Sequence, residues 1–194
     1  VLSKILKRAS FYRTKGSERD IIQVYANGGI PFLLSIIYFL NNDPVYIYLF
    51  ASSVAAAMSD TWGTEFGKLS RHKPISITSL KSIDHGISGG ITRIGTIGSL
   101  LGSCIIGFST WMMIPIPTHI IYGIILSGFL SSLFDSILGD MLQGKYKNLN
   151  GEIIEVKESD SVLIKGYSWM NNDLVNLLNT AFSPIILYIY IMLF

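Results

Sequence analysis

The sequence predicts an all-α polytopic membrane protein with about five transmembrane helices. Three observations carry that expectation. Of the 194 residues, 49% are hydrophobic and 14% are charged, with a mean hydropathy of +0.46, whereas a soluble globular domain carries about 25% charge. The apolar residues arrive in runs of roughly 20, the length that crosses a hydrocarbon core. Short and long polar connections alternate between those runs, as in a chain passing back and forth.

Residues 1–20 form a basic N-terminal segment and 21–194 a single transmembrane domain. The N-terminal segment lacks a sustained apolar core, so no cleavable signal is expected in it, and the start at Val1 leads us to expect an upstream segment. The spans are expected at 21–40, 44–66, 94–114, 118–142 and 174–194. Between the first two stand only Asn41, Asn42 and Asp43, and between the third and fourth Pro115, Ile116 and Pro117; the stretches 67–93 and 143–173 are long and polar. All fifteen Lys and Arg fall in residues 1–20 or near these two long connections. Because Lys and Arg bias a loop toward the cytoplasm, the N-terminus and both long loops are expected there, with the C-terminus opposite. Within 143–170, Glu152 to Val156 and Ser161 to Lys165 are β-prone after a turn at Asn150-Gly151, which gives a small β-hairpin or an irregular loop.

Composition excludes several classes. The single cysteine, Cys104, sits in an apolar run, so neither a disulfide framework nor a cysteine-rich zinc site is available. A net charge of +2 gives no basis for nucleic-acid binding. His72, His85 and His119 are too dispersed for a metal cluster. A homo-oligomer is compatible with the sequence and not required by it.

Acids within or beside spans are costly and mark function by default. Asp60 and Glu65 close the second span, Asp135 and Asp140 the fourth, and both segments read acid, hydroxyl, three residues, acid, with a glycine between the acids. Positions five apart on a helix are about 140° apart around the axis, so neither pair clamps an ion alone and a shared site needs both helices. Such hard oxygen ligands suit magnesium, which takes one or two carboxylates plus substrate phosphates. The alternative is that individual acids pair with loop lysines or face water.

Between these acids runs Gly86-Ile87-Ser88-Gly89-Gly90-Ile91-Thr92-Arg93-Ile94-Gly95, leading into the third span. Small residues and a helix start let backbone N–H groups approach an anion. Ser88 to Thr92 therefore reads as a phosphate cradle, flanked by Lys81 and Arg93, while Gly95 to Gly102 reads as close helix packing. The fifth span begins at Asn171-Asn172-Asp173 and contains Asn176 and Asn179. Asn171 or Asn172 suits a helix cap, whereas Asn176, four residues on from Asn172, is a candidate to face a ligand.

Taken in order, Gln23 to Gly29, Ser59 to Gly67, Ser79-Leu80-Lys81, Gly86 to Thr92, Ser132 to Gly139 and Asn172 to Asn176 resemble the transmembrane protein 19 family, which includes a plant phytyl-phosphate kinase. The chain departs from that pattern at Asn171, where an acid is usual, and at Ile87, where a small polar residue is usual. The resemblance implies transfer of a phosphoryl group from a nucleoside triphosphate, CTP in the plant member, to an isoprenyl monophosphate at the cytoplasmic surface of the bilayer. On that reading Asp60, Glu65, Asp135 and Asp140 hold Mg2+, and Asp60, Glu65, Asp135 and Lys81 are catalytic. Ser88, Gly89, Gly90, Thr92, Arg93, Asn172 and Asn176 bind phosphate or nucleotide. An ion-coupled transporter with paired acids on repeated helices is the competing expectation, and a non-catalytic membrane scaffold the third.

Overall fold

A computed structural model describes residues 21–194; the basic N-terminal segment, with the expectations resting on it, lies outside the described residues. Among the described residues five long helices carry the chain: α1 (Ile21–Asn41), α2 (Pro44–Lys68), α3 (Arg93–Met113), α4 (Thr118–Met141) and α5 (Asn172–Leu193). Local chemistry sets their starts. Asp43 caps α2, its Oδ1 accepting from Val45 N at 3.0 Å, and Pro44 supplies a preset first turn. Thr92 caps α3 through Gly95 N at 3.0 Å, and Asn171 caps α5 through Leu174 N at 3.0 Å.

Four of these helices, α1, α3, α4 and α5, are long and apolar enough to cross a membrane. The remaining expected span, that at 44–66, is α2, which has the length but not the composition, and its position explains why. It packs against all four other long helices, so its surfaces meet protein where those of α1 meet the outside. Ser52, Ser53 and Ser59 are thus buried on α2 without facing lipid, and each is satisfied: Ser52 Oγ pairs with Ser127 and Ser183 Oγ at 3.1 and 2.7 Å, Ser53 donates to Thr180 O at 2.7 Å, and Ser59 donates to Ser99 O at 2.8 Å.

The α2–α3 seam is made of small residues. A Cβ added at Gly98 would lie 2.7 Å from Trp62 O, and one at Gly102 would lie 2.8 Å from Met58 O, so each of these backbones admits only hydrogen on its partner's side. Away from the loops, Leu49, Ala55, Ile120, Ile121, Ile124 and Leu187 form the main apolar core; nearer the loops, Leu138, Met170 and Val175 form a smaller one.

Both long connections carry β-structure. In the first, β1 (Ile75–Ser76) pairs antiparallel with β2 (Gly90–Ile91). In the second, the hairpin expected between the two β-prone pieces is replaced by a three-stranded sheet: β4 (Ile153–Ile154) and β5 (Val162–Lys165) do not pair with each other but flank β3 (Lys145–Lys147), antiparallel to both. The central strand is a Lys-Tyr-Lys stretch too short to read as a strand, yet Lys145 and Tyr146 are both buried.

Candidate functional site

A cavity of about 670 Å³ opens where the two long connections meet the helix ends. That volume lies in the range of small-molecule sites. Its walls come from the last turns of α2 and α4, the start of α3, the Gly86 to Thr92 loop, Ile153 to Val156 of the small sheet, and Asn172 at the head of α5.

Asp60 of α2 and Asp135 of α4 both line it, so two helices each deliver one carboxylate to one space. Asp135 Oδ2 is buried and has no hydrogen-bond partner. An ionised oxygen in that position is expensive to leave unpaired, which is what an ion or substrate donor would relieve. Thr64, Ser132 and Ser136 add hydroxyls around it. Among the described residues no group of three or more His, Cys, Asp or Glu is arranged to hold a metal. The donor set, two carboxylates with hydroxyl neighbours and no sulfur, fits magnesium, which retains waters and completes its shell with phosphate oxygens.

The second acids of the two segments go elsewhere. Glu65 is exposed and pairs with Lys68 at 2.6 Å, one turn on. Asp140 is buried and turned away from the cavity into the loops: Ser76 Oγ donates to it, Thr78 Oγ1 donates at 2.5 Å, Thr78 N at 3.3 Å, Lys165 Nζ at 2.7 Å and Lys145 Nζ at 3.5 Å. Each of its oxygens is therefore already engaged by protein donors. Asp140 acts as a latch that ties the first long connection to the second, and it is not placed as a ligand.

The glycine loop stands where the sequence puts it, with Ser88, Gly89, Gly90 and Thr92 in the wall. Gly89 has φ of +85° and its Cα lies against Asp140, whose backbone N would be 2.7 Å from an added Cβ, so only glycine is accommodated there. The two cations expected to flank the loop do not reach the cavity wall. Lys81 and Arg93 are both exposed, and the one Lys or Arg lining the cavity among the described residues is Lys68. Its signal was present in the sequence as a basic residue in the last turn of α2, three positions after Glu65. Asn172 lines the cavity, released by Asn171 serving as the cap, which an acid at that position would do equally well. Asn176, one turn deeper, is buried outside the lining.

One residue that sequence reasoning missed is central. Glu155, in a stretch read as a bare β-prone piece, closes on the glycine loop: Ser88 N and Oγ both donate to its carboxylate at 2.7 Å, and Gln143 Nε2 donates at 3.0 Å. Burial raises the Glu155 carboxyl above its usual range against the opposing pull of Ser88 and Lys145, and burial lowers the Lys145 ammonium.

Comparison with known proteins agrees with the motif reading. The model of a family described as "Integral membrane protein DUF92" matches residues 2–183. An uncharacterized membrane protein of Methanocaldococcus jannaschii is 31% identical over 150 residues, 75% of this chain and 62% of its own length. From Arabidopsis thaliana, Protein PGR is 25% identical over 215 residues, 91% of this chain and 72% of the relative, and Protein VTE6, chloroplastic, is 26% identical over 137 residues, 71% of this chain and 35% of the relative. The chain thus spans less than two thirds of the archaeal relative and about a third of VTE6. No solved structure matches.

Proposed function

The chain belongs to the DUF92 family of integral membrane proteins, and from that premise we propose that it is a membrane prenyl-phosphate kinase, moving a phosphoryl group from a nucleoside triphosphate, CTP first among candidates, to an isoprenyl monophosphate. The observation that carries the proposal is the meeting of Asp60 and Asp135, the latter with a buried unpartnered oxygen, across a cavity walled by the Ser88 to Thr92 loop. The ordered motifs shared with the transmembrane protein 19 family supply the substrate class.

Phosphoryl transfer is dominated by positioning and charge neutralisation. In this reading Asp60 and Asp135 hold Mg2+, which when bound neutralises phosphate oxygens. Backbone N–H groups of Ser88 to Thr92 and the Lys68 ammonium receive the triphosphate, with Glu65 orienting Lys68. Asn172 orients nucleotide or acceptor. An oxygen of the acceptor phosphate bonds to the terminal phosphorus as the bond to the bridging oxygen breaks, releasing the nucleoside diphosphate. The acceptor is ionised near neutrality, so no strong base is required, and the prenyl tail remains in the bilayer.

The test is incubation of purified protein with magnesium, radiolabelled CTP or ATP, and geranylgeranyl or phytyl phosphate, with Asp60→Asn and Asp135→Asn alongside. Labelled prenyl diphosphate formed by the wild type and lost in both variants supports the kinase. No product from any prenyl acceptor, with cation flux into liposomes instead, supports the transporter. Asp60 and Asp135 lie in the loop-side halves of their helices, eight and six residues before the ends, and share their cavity with the glycine loop and Lys68, whereas a transporter site is centred at the midplane between repeats.

A further inference from the structure

The groups around Glu155 form an anion seat. Three donors, Ser88 N, Ser88 Oγ and Gln143 Nε2, converge on one carboxylate within 3.0 Å, and the ammonium of Lys145 stands behind them, bound to Ser88 O at 2.8 Å. Gln143 is 1% exposed and its Oε1 has no partner, leaving a buried acceptor beside the same seat. Two oxygens on a delocalised anion, held by a backbone N–H, a hydroxyl and an amide, are what a phosphate presents and takes. The carboxylate filling the seat belongs to Ile153 to Val156, a strip of the cavity wall whose β4 contributes only two residues to the sheet.

We propose that Ser88, Gln143 and Lys145 form a phosphate subsite in which Glu155 is a resident placeholder, displaced when a substrate phosphate enters. This deepens the kinase reading and rests on its assignment of Ser88 to Thr92 as a phosphate loop. The exchange keeps the seat satisfied in both states: with substrate absent the carboxylate adds to the negative charge that Asp140, the ion-pair partner, sets against the buried Lys145, and with phosphate bound the strip swings off the cavity, carrying Glu155 toward water. The unpartnered Gln143 Oε1 accepts from a protonated phosphate oxygen or a substrate hydroxyl. Entry of the phosphate and opening of the wall are then a single event.

The probe is inorganic pyrophosphate added to the full chain in lipid nanodiscs, read by calorimetry and by hydrogen exchange, neither of which needs turnover. Removing a competing placeholder raises apparent affinity by the factor it was suppressing, so Glu155→Ala binds pyrophosphate about tenfold more tightly than wild type and Glu155→Gln shows a smaller gain. In the wild type, pyrophosphate speeds exchange of residues 152–158 while Ser88 stays protected. The proposal is overturned by Glu155→Ala binding equally or more weakly, or by pyrophosphate that leaves 152–158 unchanged or more protected in the wild type. Should Glu155→Ala not fold, Glu155→Gln and the wild-type exchange data decide alone. Pyrophosphate binding that displaces the strip in a protein with no prenyl-kinase turnover would sink the proposed reaction and leave this subsite standing.

Discussion

Asp135 and Asp140 sit on the same helix, five residues apart, and have opposite surroundings. Asp135 faces a cavity with one oxygen buried and unpartnered; Asp140 faces the loops with hydroxyl, amide and ammonium groups from four residues around it. Asp60 and Glu65 on α2 divide in the same way, one into the cavity and one onto an adjacent lysine. The division follows from the helix: a separation of about 140° turns the second acid of each pair away from whatever the first one faces. Acidic residues of like appearance in the sequence thus face either the cavity or the loops according to angle.

That contrast can be broken by measurement. The largest effect is expected at Asp140→Ala, which strands the buried Lys145; removing one partner of a buried ion pair costs about 3–5 kcal/mol, read as a drop in thermal midpoint in detergent. Asp135→Asn should leave that midpoint unchanged or raised. If the two variants exchange these behaviours, the assignment of latch and site is reversed. Next come the cavity acids: Asp60→Asn or Asp135→Asn should lower prenyl diphosphate formation on the order of 100-fold, the scale of losing one group that stabilises transition-state charge, in protein that remains folded by circular dichroism. Gly98→Leu, which forces a side chain against Trp62 O, should cost roughly 1–3 kcal/mol by overpacking, visible in the same melting assay. The smallest effect separates two lysines. Lys68→Ala should raise KM for the nucleoside triphosphate about tenfold, equivalent to about 1.4 kcal/mol, while Lys81→Ala leaves it within about twofold; a larger effect at Lys81 would return the phosphate-binding role to the flanking loop.

Much of this was legible before any coordinates. The five long helices begin and end within two residues of the expected spans, because apolar runs and a cap candidate such as Asn171 are local signals. The need for two helices to build one acidic site also follows from helical angle alone. What stayed hidden depends on contacts between distant segments. Nothing in Glu152 to Val156 announces that Glu155 will meet Ser88, 67 residues earlier, and nothing around Asp140 announces Ser76, 64 residues away. The central strand of the small sheet was invisible because three residues, two of them lysines, carry no alternation to detect. Lys68 was overlooked in favour of Lys81 and Arg93, since proximity in sequence to the glycine loop is a poorer guide than proximity across the bundle.

The glycine seam between α2 and α3 has a mechanical consequence. Backbones that meet with no side chain between them have little room to slide or part, so these two helices behave as one stiff pillar bearing Asp60 and Lys68. Any breathing of the chamber must then come from the opposite bank, where α4, α5 and the small sheet are joined by longer side chains and by the Asp140 and Glu155 contacts. A ligand entering the chamber would then be expected to displace that bank before it displaces the pillar.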